Sequence, residues 1–130
     1  MDFDYYMPFL KEKFGHLIEK YHLEFIAPPN EYEAVLANEH VKIRMFIFSR
    51  EDGMGIFVTD LKNNKGDHLL NMMSKMGKNS REEFKKAEAL GLMNHEADDK
   101  GVKRIIAGAA FLLEEYGDKI LKGDFSEVEG

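Results

Sequence analysis

The stretch from Val41 to Leu61, VKIRMFIFSREDGMGIFVTDL, constrains the fold of this chain more than any other. β-Branched and aromatic residues crowd both arms, and Asp52-Gly53 supplies the positive-φ chemistry that a tight antiparallel hairpin needs. Two strands reversing at Glu51-Asp52-Gly53 are therefore predicted. Gly53 and Gly55, on either side of Met54, call for a loop longer than two residues or a bulge. Alternation divides the first arm into two faces. Val41, Ile43, Met45 and Ile47 form an apolar face that has to meet a core, whereas Lys42, Arg44, Phe46 and Phe48 form a face that begins basic and ends aromatic. Phe46 and Phe48 are expected either to lie under a helix or loop or to stand exposed as an adhesive patch.

Helical and strand periods place the rest around this hairpin. Leu10, Phe14, Leu17 and Tyr21, with Phe9 and Ile18 beside them, make a helical stripe within residues 5–21; Pro8 fits only a first turn, which predicts regular helix from near Met7. Leu23 to Ala27 reads as a short strand stopped by Pro28-Pro29-Asn30. Tyr32 to Asn38 reads as another, with Asn38-Glu39-His40 turning into the hairpin. After Leu61 strand character ends, and Lys62 to Gly66 reads as a surface loop. Asp67 is the expected cap of a helix that carries Leu69, Leu70, Met72, Met73 and Met76 and stops at Gly77. Ser80 and Glu83 have capping-box spacing ahead of Phe84, Ala87, Ala89 and Leu90, with Gly91 as the stop. Ile105, Ile106, Ala109, Leu112, Leu113 and Tyr116 define a last helix from Val102; Gly117 breaks it, Ile120 and Leu121 add a turn, and the tail from 124 to 130 is expected to fray. The expected architecture is one α+β domain over residues 1–130. It has an N-terminal helix, an antiparallel three- to four-stranded meander, then two to three helices packed on the sheet.

A hydrophobic fraction of 44% in 130 residues is enough to bury a core without disulfides or a structural metal. The absence of cysteine excludes a disulfide framework and a thiol nucleophile, and fits a reducing compartment. With acids rather than bases at Met1-Asp2-Phe3-Asp4 and no apolar run of ~18 residues, the expected location is the cytoplasm, with no membrane contact. The net charge of −6 is uneven: 11 acids against 6 bases in residues 1–61, 7 against 10 in 62–113, and 6 against 2 in 114–130. Nucleic-acid binding is not expected of such a chain, since phosphate contact calls for a concentrated basic face.

Candidate chemistry is sparse. His16, His22, His40, His68 and His95 sit in different elements without the i, i+4 pairing of a helix-borne metal site. His95, Glu96, Asp98 and Asp99 are the densest polar cluster, but lack the order of a calcium loop and suit helix capping. Met72, Met73, Met76 and Met93 at helical spacing read as core filler. No GxSxG elbow, phosphate-binding glycine loop or dinucleotide fingerprint occurs, so no catalytic residue, metal or cofactor is assigned.

Two stretches taken together, Tyr32 to Leu61 and Phe111 to Phe125 (FLLEEYGDKILKGDF), resemble small, mostly uncharacterised bacterial α+β domains, some of immunity-protein type. The resemblance covers about a third of the chain at the level of pattern. It implies a non-catalytic protein that binds one cognate partner, to which an acidic surface adds a basic toxin as the expected partner. The residues expected to contact it are Glu31, Glu33, Glu39, Glu51 and Asp52, together with Phe46 and Phe48. One alternative accompanies this reading: a small enzyme or ligand-binding domain with a pocket between sheet and helices, near Phe46, Phe48 and the methionines; a homodimer through an uncovered sheet face or edge is compatible with either.

Overall fold

A computed structural model describes residues 3–28, 30–47, 54–89 and 102–128. Helix α1 (Phe3–Tyr21) leads into strands β1 (Glu24–Ile26), β2 (Glu33–Ala37), β3 (Val41–Ile47), β4 (Met54–Asp60) and β5 (Lys65–His68). Helices α2 (Leu69–Lys75), α3 (Ser80–Ala89), α4 (Val102–Tyr116) and α5 (Asp118–Leu121) follow. The strands form one antiparallel sheet in chain order, β1-β2-β3-β4-β5, each paired with its neighbours in sequence. The α+β meander is as expected, but it has five strands rather than three or four. The reversal at 51–53, the capping cluster at 95–99, Phe48, Leu90, Gly91 and Met93 lie outside the described residues.

The fifth strand is Lys65-Gly66-Asp67-His68, where a surface loop is expected from its polarity. It forms because Asp60, buried at the end of β4, holds the reversal: its Oδ1 accepts from the Lys62 N–H (3.0 Å) and its Oδ2 from the Asn63 amide (2.9 Å). Asn64 then takes the left-handed conformation (φ 55°) that asparagine tolerates in a turn. The ladder with β4 stabilises a strand that composition does not announce.

One apolar cluster lies between the sheet and the helices. Val41, Ile43 and Met45 from β3, Ile56 and Val58 from β4, and Ala34 and Leu36 from β2 supply its sheet side. Helix α1 adds Phe3, Tyr6, Leu10, Phe14, Leu17 and Tyr21, while α4 packs on α1 and adds Ile106, Leu112 and Leu113. Burial of Phe3 and Tyr6, with a hydrogen bond from the Phe3 N–H to the Glu31 carbonyl (2.9 Å), extends α1 back to Phe3. The helix therefore includes Pro8 instead of starting near Met7; packing outweighs the one backbone bond that proline removes. The tail also differs from expectation. Phe125 and Val128 are buried in the same cluster, so residues 124–128 are part of the packed structure rather than frayed.

Helix ends are set by specific partners. Asn79, not Ser80, caps α3, its side-chain oxygen accepting from the N–H groups of Arg81 (3.0 Å) and Glu82 (3.2 Å). At α2 the N-cap position is His68, which makes no side-chain capping bond, and Asp67 lies in β5; Gly77 follows the helix at φ +78°. Helix α1 ends in a Schellman turn: His22 sits at φ +56°, the Leu23 N–H reaches the Ile18 carbonyl (3.1 Å), and Leu23 is buried.

Candidate functional site

The second face of the sheet follows from the ladder register. Residues directly opposite one another share a face, so Ile26, Val35, Arg44, Phe57 and His68 form one straight row across all five strands. Glu24, Ala37, Lys42, Thr59 and Gly66 form the row on one side of it, and Glu33, Phe46 and Gly55 the row on the other. None of these residues belongs to the apolar cluster under the helices, although Val35 and Ala37 are themselves buried. On this open face Lys42, Arg44, Phe46 and Phe57 are half-buried, and Ile26 and His68 are exposed.

Phe46 and Phe57 lie down on the face instead of standing off it. A β-carbon on Gly55 would meet Cζ of Phe46 at 2.6 Å, and one on Gly66 would meet Cε1 of Phe57 at 2.6 Å. Each ring thus occupies space that a neighbouring strand leaves open by having glycine, the aromatic cover that compensates a glycine in a strand. Both rings remain half-buried, and His68 packs edge-on against them, with ring centroids 5.3 Å from Phe57 and 6.5 Å from Phe46. Arg44, in the middle of the central row, reaches sideways to Glu33: one guanidinium nitrogen donates to both carboxylate oxygens, at 3.3 and 3.4 Å. Beside this pair is an open groove of about 450 Å³, lined by Tyr32, Glu33, Arg44, Phe46, Ile47 and Phe57.

The contact residues expected from sequence are only partly brought together. Phe46 and Glu33 are directly opposite each other on this face. Glu31 is exposed in the turn before β2, and Glu39 is exposed in the turn after it, 3.3 Å from His40. The length of β2, with ~3.3 Å per residue, separates those two turns. Glu51, Asp52 and Phe48 lie outside the described residues. Met72 and Met73 are in the core on the other side of the sheet, so these two and Phe46 do not share a pocket. The interval between sheet and helices is filled by fully buried side chains, among them Phe14, Leu36, Ile43, Met45 and Leu112.

A second groove, of about 540 Å³, lies at the corner where α1, the β2–β3 turn and α5 meet, and brings His22 and His40 together with Lys20, Glu24, Glu39 and Lys122. Asn38 builds this corner. Its amide donates to the carbonyls of Tyr21 (3.0 Å) and Leu121 (3.1 Å), and its side-chain oxygen accepts from the N–H groups of His40 (2.8 Å) and Val41 (2.9 Å). Tyr21 ties α1 to α5 as well, donating to Asp118 (2.7 Å); burial, then this bond to a carboxylate, push its phenol up to about 12. A comparable tie joins α3 to α4, where the Tyr116 hydroxyl donates to the buried Glu83 (2.8 Å), which also pairs with Lys86 (3.2 Å). That hydroxyl, followed by Lys86, holds the Glu83 carboxyl below its ordinary range. Among the described residues, no three histidine, cysteine or acidic side chains converge in a way that holds a metal. No helix among them is long and apolar enough to cross a membrane.

Comparison with protein-family models, with curated proteins and with solved structures finds no match to this chain. The functional reading therefore rests on the residues themselves. Sequence alternation identifies Lys42, Arg44 and Phe46 as neighbours on one face; it does not identify Ile26, Val35, Phe57 and His68 as the rest of the Arg44 row. That assignment depends on the lengths of four turns, and one of the strands is not visible in the composition at all.

Proposed function

We propose that this chain is a non-catalytic protein-binding module and that its partner docks on the open face of the sheet. The observation that carries the reading is the row Ile26–Val35–Arg44–Phe57–His68, an aliphatic, aromatic and arginine strip outside the core cluster. Aromatic residues and arginine are the types enriched at protein interfaces, and half-buried rings held down by their own sheet lose little freedom on binding. Exposed Ile26 carries the apolar area to the β1 edge. Occlusion of one cognate protein, as by an immunity protein, is the form of this function that the resemblance of Tyr32–Leu61 and Phe111–Phe125 implies.

A photo-crosslinking amino acid in place of Phe57, in cells that produce the protein, tests the proposal. One defined protein adduct is expected from that position and none from Leu70, an exposed apolar residue on α2. Absence of an adduct at Phe57, or the same adducts at both positions, overturns the docking face.

A further inference from the structure

The centre of the open face has a charge imbalance that defines what docks there. Lys42 and Arg44 project from the same side of β3, two residues and thus ~7 Å apart. Among the described residues, the carboxylates on this face are Glu33, engaged by a single Arg44 nitrogen, and Glu24 on the edge strand, two strands from Lys42. Guanidinium has five N–H donors in a planar fork, so Arg44 keeps donors that no ion pair among the described residues uses. Lys42 has no ion-pair partner among them. It stands directly between Ala37 and Thr59, in the row beside the one that Arg44 and Phe57 occupy.

Three occupants are then distinguishable. A second copy seated face to face about a dyad over β3 sets Lys42 and Arg44 against their own counterparts, a juxtaposition of like charges that opposes association. Single-stranded nucleic acid would use the rings and cations, but Glu24 and Glu33 share the face, and the chain carries −6 overall. A different protein that offers a carboxylate satisfies the Lys42 ammonium and the unused Arg44 donors at once. Resting on the docking proposal above, we infer that the partner presents an Asp or Glu side chain to Lys42 and Arg44, with apolar residues on either side of it lying on Ile26 and Phe57. The carboxylate bridges the Lys42 ammonium and the unused Arg44 donors, a charge-assisted contact of the kind that fixes register in an interface.

The probe is a set of short synthetic peptides in which apolar residues alternate with Glu, with Gln or with Lys, bound to the isotope-labelled chain and followed by backbone amide shifts. The Glu series is expected to bind about tenfold more tightly than the Gln series, as a charge-assisted hydrogen bond would give, and to shift β3 and β4 amides. Lys42→Glu is expected to invert the preference toward the Lys series, and Lys42→Gln to abolish it. Lys85→Glu, on an exposed part of α3, is expected to leave it intact. Equal or stronger binding of the Lys series at the open face overturns the carboxylate inference while leaving the docking face standing. Failure of every series to shift open-face amides overturns both. Binding of oligodeoxythymidine at the same amides, or sedimentation as a dimer that Lys42→Glu dissociates, overturns the choice of occupant.

Discussion

The far end of the Phe46 ring lies over Gly55, its direct cross-strand partner, with Cζ and Cε2 at 2.6 and 2.7 Å from where a β-carbon would stand. Gly55→Ala is therefore expected to swing the ring off the sheet at a cost of about 1 kcal/mol, small because only the tip of one side chain has to move. Urea unfolding measures the loss. In a Phe46→Ala background the same substitution is expected to be close to neutral, and an equal loss in both backgrounds contradicts the contact.

Asn38 closes the corner between the C-terminal ends of α1 and α5 and the β2–β3 turn with four hydrogen bonds. Asn38→Ala leaves two helix-end carbonyls and two turn N–H groups without their partner and is expected to cost about 2–3 kcal/mol in equilibrium unfolding. Asn38→Asp keeps the acceptor for His40 and Val41 but aims a carboxylate at two carbonyl oxygens. It is expected to be no more stable than the alanine variant at neutral pH and to recover on acidification, as that carboxyl takes up a proton.

Glu83 makes stability depend on acid pH. Its carboxyl is held below the ordinary value of 4.5, first by the Tyr116 hydroxyl and then by Lys86, so the folded state favours the ionised form. The stabilisation is complete above that value and is lost as pH falls through the lower folded-state value. Tyr116→Phe is expected to remove about 1–2 kcal/mol at neutral pH and to flatten the decline below pH 4.5. Parallel acid limbs for the variant and the parent would contradict the assignment. At the alkaline end, Tyr21 is expected to ionise last among the tyrosines whose shift is resolved, at about 12, in a spectrophotometric titration.

His22 occupies the left-handed position of the Schellman turn that ends α1. Glycine adopts that conformation without steric cost, and His22→Gly is expected to stabilise the fold by about 0.5–1 kcal/mol, while His22→Val destabilises it. Thermal unfolding distinguishes the two directions. A lower midpoint for the glycine variant would mean that the His22 side chain contributes more at the corner groove than its backbone costs.

The parts of the fold that residue spacing made legible are those whose period matches their environment. β3 and β4 alternate because one face is buried, and α4 carries a helical stripe because one side meets α1. β5 was not legible, since Lys65, Gly66, Asp67 and His68 have no strand preference and are held by their ladder with β4. The start of α1 was misjudged because Pro8 is a local signal, whereas the burial of Phe3 and Tyr6 is a tertiary one. Ser80 and Asn79 are adjacent capping residues, and only the backbone path selects between them. At the candidate site, sequence supplied the face of β3 but not its cross-strand neighbours. It also grouped Glu31, Glu33 and Glu39 as one acidic contact set, although β2 runs between the turns that hold the first and the last.

The apolar cluster under the sheet is completed from opposite ends of the described chain: α1 supplies one helical wall, and α4, α5, Phe125 and Val128 supply another. Each strand pairs with its neighbour in sequence, so the whole meander can close through short loops while a nascent chain is still being made. Val102 and all that follows it emerge only later. In that interval Val41, Ile43, Met45, Ile56 and Val58 form a wide hydrophobic surface that only α1 and, once it is made, α2 shield. A chain interrupted between His68 and Val102, by a stalled ribosome or a protease, is consequently an aggregation-prone sheet and not a smaller working version of the protein.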